Sequence, residues 1–343
     1  MAQGDLLTAV RYNNLQTQVA QVYGTGTGSI GYGQTVSSTQ VPGGNVKLVE
    51  ATDMQKLYND IVACRVHQTG LIPSEIADIQ SGDLVTDDDG GTDTPGVLPL
   101  DGDKKGYVDY ESLVSTMSAD PERFKLAGSQ AEQLPLKTSG NALISQTRTT
   151  NFSTNLTHEF SVNFSSYNQA RFYFNSGGKI IMTASVPDGA GKQHDWYLML
   201  ANMGEIRFAH TATTSEDPDA DGDTVYLNRT ITTTQIGFYD LTTNYQVVYS
   251  KTGEVGSVYE ENDYTVKAKG DAIPPDPAGT AYKIYFLIEF NDDDIGDDQI
   301  PDAYTYQVDE AVVQPIASNV EYLRASGDYV DVPAPTGTLI SGL

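Results

Sequence analysis

The residues best suited to chemistry in this chain are its carboxylates. Asp217-Pro-Asp-Ala-Asp-Gly-Asp223 sets Asp217, Asp219, Asp221 and Asp223 at alternate positions around a glycine. Hard oxygen ligands on a tight turn suit Ca²⁺, and the spacing matches the start of a calcium loop. The bidentate Glu that closes such a loop is replaced by Asn228, and the flanking residues read as strand, so this is not an EF-hand. The plainer alternative is a solvated acidic turn that holds ions loosely. A second run, Asp101 to Glu111, places Asp101, Asp103, Gly106, Val108 and Asp109 at loop positions, but Lys105 stands where a ligand should and Ser112 where the closing Glu should. A third cluster, Asp292, Asp293, Asp294, Asp297, Asp298 and Asp302, follows a strong strand pattern and reads as a charged turn or an ion site.

Other groupings point away from catalysis. His67, His158, His194 and His210 have no second His or Cys at ligand spacing, and Cys64 is the single cysteine, which disfavours zinc. His194-Asp195 could orient a base, but no GxSxG elbow or Cys–His pair accompanies it. His158-Glu159 sits in a strand pattern and lacks the rest of a zinc-protease helix. Gly26-Thr-Gly-Ser-Ile-Gly31 formally fits GxGxxG. A dinucleotide site needs that loop after a strand and before a helix, whereas here it follows a helical pattern. A helix end running into a loop is the better reading. Phe172, Tyr173, Phe174 and Trp196 could stack on sugar rings, or they could be sandwich core. No catalytic residue and no certain cofactor emerges, and the chain is not expected to be an enzyme.

Forty-six acidic and 20 basic residues give a net charge of −26. Such a surface repels nucleic acid and anionic membranes. With one cysteine no intrachain disulfide can form. The first residues lack the pattern of a signal peptide, and no apolar run approaches the length of a membrane span. A soluble protein with neither nucleic-acid partner nor membrane insertion is expected.

The elements that would position these residues fall into three stretches. In 1–75, Tyr12, Leu15, Val19 and Val22 make an apolar stripe at spacings of 3, 4 and 3, and Met54, Leu57, Ile61 and Cys64 repeat it. Thr52 and Gln55 fit a capping box at the second helix. A helical hairpin that packs on itself or on a partner subunit is expected. Residues 76–136 are acidic and Gly/Pro-punctuated, a linker with a short helix near Tyr110 to Met117. From 137 to 343 the pattern is β. Leu156, Phe160, Val162 and Phe164 share one face, and Tyr282, Ile284, Phe286, Ile288 and Phe290 alternate with residues that are themselves partly apolar, the mark of a central strand. Further strands are expected at Glu205 to His210, Thr224 to Ile231, Tyr245 to Lys251 and Asp263 to Ala268, with one short helical turn at Asp195 to Ala201. The fold class is α+β multidomain: an N-terminal helical module followed by a C-terminal antiparallel β-sandwich.

Two separate stretches also carry a resemblance. "ARFYFNSGGKI" at 170–180, followed by "DWYLML" and "GEIRF", is similar to a recurring domain in virion structural proteins of contractile-tailed phages of marine cyanobacteria. "VYGTG" with "GYGQTV" and "NDIVACRVHQTG" resembles the N-terminal module of the same proteins, and Tyr322 to Thr336 closes the pattern. The resemblance implies a non-enzymatic tail, neck or fibre-like virion protein, assembled in the host cytoplasm as a symmetric oligomer with other virion proteins. A capsid decoration protein, or an adhesin for a host surface glycan, are the alternatives it leaves open.

Overall fold

The structure, a computed structural model, describes residues 8–42, 49–81, 106–119, 142–152, 155–216, 233–253, 261–272, 281–292 and 315–343. The chain forms two compact units. One comprises Met1–Leu136 together with Arg171–Gly177 and Arg324–Pro333; the other comprises Lys137–Ala170, Gly178–Leu323 and Ala334–Leu343.

The first unit is helical. Helix α1, Ala9–Val22, starts at Thr8, whose hydroxyl accepts from the Arg11 amide at 3.3 Å, and it buries the expected Tyr12, Leu15, Val19 and Val22. Helix α2, Ala51–Thr69, buries Met54, Leu57, Ile61 and Cys64. It stops at Gly70, whose φ of 73° lets its amide turn back to the Val66 carbonyl at 2.7 Å. Its start differs from expectation. The Asp53 carboxylate accepts from the Glu50 amide at 3.1 Å, so the reciprocal cap lies at Glu50–Asp53, and Thr52 falls inside the first turn. Helix α3, Tyr107–Ala119, is longer than the expected 110–117 and packs against both α1 and α2. Arg11 reaches Glu111 with two parallel hydrogen bonds of 2.6 and 2.7 Å and lies over the Tyr107 ring, 4.7 Å from its centroid. The expected hairpin is thus a three-helix arrangement.

Residues 34–42, between α1 and α2, form no strand, so their polar backbone must be satisfied otherwise. Helix side chains do this. Asn13 accepts from the Val41 amide at 2.9 Å and donates to the Val41 carbonyl at 2.8 Å. Gln16 donates to the Ser38 carbonyl at 3.1 Å. The buried Asp60 carboxylate accepts from the amides of Ser37 and Ser38 at 3.0 and 2.8 Å.

The second unit is built on two antiparallel sheets. The six-stranded sheet has the order β1-β10-β3-β4-β5-β6 and the five-stranded sheet β11-β2-β9-β8-β7. The strands are β1 Ala142–Arg148, β2 Leu156–Phe164, β3 Lys179–Ser185, β4 Glu205–Phe208, β5 Thr213–Glu216, β6 Thr233–Thr234, β7 Gln246–Thr252, β8 Asp263–Gly270, β9 Tyr282–Asn291, β10 Ile316–Leu323 and β11 Thr336–Ser341. As its two-sided apolar pattern requires, β9 is central, paired with β2 and β8. The inner faces meet: Phe208 packs edge-on to Phe286 with centroids 5.2 Å apart, and His158 Nδ1 lies 3.0 Å from Ser318 Oγ. This is the sandwich of the expected α+β fold.

Two segments depart from the sequence reading. Between β2 and β3, where no helix is expected from the sequence, helix α4 occupies Tyr167–Asn175 before Gly177, with positive φ, leads into β3. The short turn expected at 195–201 is helix α5, Lys192–Met203, with Trp196 buried. The strand expected at Thr224 to Ile231 lies outside the described residues.

Candidate functional site

The most elaborate polar site of the helical unit joins the two motifs singled out above. After α1 the loop from Gly24 to Gly33 turns through positive φ at Gly26, Gly28, Gly31 and Gly33. Its carbonyls converge on Arg171. Nε donates to Gly28 at 2.8 Å, and Nη2 donates to Ile30 at 3.0 Å and to Thr25 at 3.4 Å. One turn on, Asn175 donates to the Gly31 carbonyl at 3.0 Å. Gly33 is obligatory for a steric reason as well, since a Cβ there would stand 2.4 Å from the Phe172 ring. The loop therefore presents oxygen to a cation. A phosphate cradle presents N–H groups to an anion, and the GxGxxG match has the opposite polarity. A guanidinium with fixed donors suits this arrangement because carbonyls approaching from several directions can be bonded at once.

A second buried polar group sits beside it. His67 Nε2 donates to the Ser176 carbonyl at 3.1 Å, and Tyr32 stands edge-on to the imidazole at 4.8 Å. Burial pushes the His67 pKa down to about 4, against a smaller rise from that backbone hydrogen bond. Gln68 donates to the Tyr32 hydroxyl and to the Met117 carbonyl, both at 3.1 Å. A cavity of about 200 Å³ opens next to His67, between Val66 of α2 and the turn Ala325 to Val330. That turn is a small hairpin, closed by Gly327 donating to Val330 and Val332 to Ala325, and held by Tyr23 donating to the Tyr329 carbonyl at 2.8 Å. His67 Nε2 is committed to a carbonyl, and Asp328 is the carboxylate in the cavity lining.

In the sheet unit the sequence-derived candidates are dispersed. His158 is buried against Ser318, and burial lowers its pKa to about 4, so it is a core residue and not a partner of Glu159. His194 pairs with Asp188, at 2.7 Å, and not with Asp195; both side chains are about half exposed. The hydrogen bond from His194 lowers the Asp188 pKa. Phe172, Tyr173 and Phe174, of the helical unit, and Trp196, of the sheet unit, are all buried, so none offers a face to a glycan. Asp217, Asp219, Asp221 and Asp223 lie outside the described residues, as do Asp101, Asp103 and Lys105. Of the third acidic cluster, Asp292 alone is described, and it is not a surface turn. Its carboxylate lies 2.9 Å from Lys192 Nζ, with both side chains fully buried. No local signal could have joined residues 100 positions apart. Among the described residues no group of three or more His, Cys, Asp or Glu could hold a metal. No described helix is long and apolar enough to cross a membrane.

No protein-family model, curated protein or solved structure matches the chain.

Proposed function

We propose that this chain is a non-enzymatic structural component of a tailed-phage virion, a tail- or neck-associated fibre-like or accessory protein that assembles as a symmetric oligomer. The observation that carries the reading is the joint between Gly24–Gly33 and Arg171–Asn175. The two motifs on which the resemblance rests are bound to each other by main-chain carbonyls and a buried guanidinium. Groups so committed serve a scaffold, and they are unsuited to turning over a substrate. Exposed Leu71 and Ile72, at the end of α2, support assembly because they offer apolar area to another subunit.

Its partners would be copies of itself and other virion proteins. Calcium is its one proposed ion, at Asp217, Asp219, Asp221 and Asp223. Immunogold microscopy of purified virions, with antibody against residues 137–343, tests the assignment alongside sedimentation of the purified protein. Gold at the tail or neck, with an oligomer in solution, is the expected result. Gold over the head would shift the reading to a decoration protein. A monomer absent from virions would refute it. Binding on a glycan array would favour an adhesin, on a surface other than the four buried aromatic rings.

A further inference from the structure

The Lys192–Asp292 pair is costly as an ion pair. Two charges held away from water lose more solvation than their mutual attraction commonly returns. Both side chains are fully buried, at 2.9 Å. Residues near each of them in sequence form an aromatic cluster. Lys192 and Trp196 are four apart on α5 and share a helix face. Asp292 directly follows Asn291, the last residue of β9, and stands two positions after Phe290. The Trp196 and Phe290 rings lie 5.9 Å apart, and Phe152 and Tyr264 close the cluster at 6.0 and 4.9 Å from those rings. The terminal pair of β8 and β9 is Asp263–Asn291, and Asn262, next to it in sequence, is buried. The result is an amine and a carboxyl, fixed at contact distance where α5 begins and β9 ends.

The geometry points to an intramolecular amide bond between Lys192 Nζ and Asp292 Cγ. The ammonium proton passes to the carboxylate within the pair. The nitrogen lone pair attacks Cγ and forms the N–C bond. A proton then moves from nitrogen to the departing hydroxyl, the C–O bond breaks, and one water leaves. Nothing is oxidised or reduced, and no co-reactant is needed. Fixing the two groups at contact replaces a bimolecular encounter, which is worth a large effective concentration. Full burial of both side chains favours the uncharged amide over the ion pair and keeps out the water that would reverse the step. The bond would tie the start of α5 to the end of β9 in a chain whose single cysteine, Cys64, is buried and can make no internal disulfide.

The test is the mass of the intact full-length protein, followed by peptide mapping. The expected result is a mass one water below that of the sequence, and a branched peptide joining the segments around Lys192 and Asp292. Lys192→Arg keeps the charge but cannot form this bond, so it should restore the full mass and abolish the branch. A full-mass wild-type protein overturns the proposal without reference to any variant. So does a lost water with no branched peptide, which would mark a succinimide at an aspartate instead.

Discussion

At the scale of single residues, burial decides what the titratable side chains do. His67 and His158 share one physical situation: an imidazole in the core, whose charged form is disfavoured by desolvation, with a pKa of about 4. The unfolded chain binds a proton near pH 6.5, so it holds more protons than the folded chain between the two values. Stability from these residues is complete above about pH 6.5 and is lost as pH falls towards 4. Each should contribute about 3 kcal/mol to that loss. Urea unfolding from pH 7.5 to 4.5 should show the midpoint dropping over this window, and less steeply in His67→Gln; a midpoint independent of pH would contradict the burial argument. Arg171 works through shape as well as charge. An ammonium cannot reproduce a fork that bonds three carbonyls, so Arg171→Lys should cost about 2–4 kcal/mol in the same assay. Unchanged stability would mean that the carbonyls find other donors.

At the scale of elements, the β-strands were far more legible than the helices that interrupt them. Strand β9 announces itself because its period of two is unbroken from Tyr282 to Phe290, and its second face, with Tyr285 and Leu287, marks a strand covered on both sides. Helix α4 hides because Arg-Phe-Tyr-Phe has modest helix propensity and a pair of glycines follows it. What holds it is tertiary: Arg171 and Asn175 reach carbonyls more than 140 positions earlier. Helix α3 exceeds its local pattern for a similar reason, since Tyr107 is covered by Arg11. The candidate site was legible as two motifs but not as one joint, and Asp292 read as surface because its lysine partner is remote in sequence. The glycine loop supplies a prediction at this scale. Gly33 has a φ of 74° and meets the Phe172 ring, so Gly33→Ala adds backbone strain to a clash. A loss of about 2–4 kcal/mol is expected, with faster protease cleavage between Gly24 and Gly33. Wild-type resistance to cleavage would show that the loop can shift at little cost.

At the scale of the whole molecule, a charge of −26 makes cations a general stabiliser. Specific binding at Asp217, Asp219, Asp221 and Asp223 would go beyond that screening. At matched ionic strength, calcium at a hundred times its dissociation constant should stabilise by about 2.7 kcal/mol relative to chelator, raising the melting temperature. The variant with all four aspartates changed to Asn should lose that increment and keep the general salt response. Equal melting curves with calcium and with magnesium would leave a loosely held ion cloud.

The contact between Tyr23 and Tyr329 spans 306 positions, and it belongs to the unit that contains α1. A ribosome adding roughly 5–20 residues per second needs on the order of 15–60 s to travel that far. During that interval the first helices exist without the hairpin that later covers them, and for much of it without Arg171 to gather the glycine loop. Helices α1 and α2 are therefore completed only once Arg324–Pro333 has been made, long after they themselves have left the ribosome. Nascent chains arrested before residue 324 should expose α1 and α2 to chaperones, whatever strands have already paired.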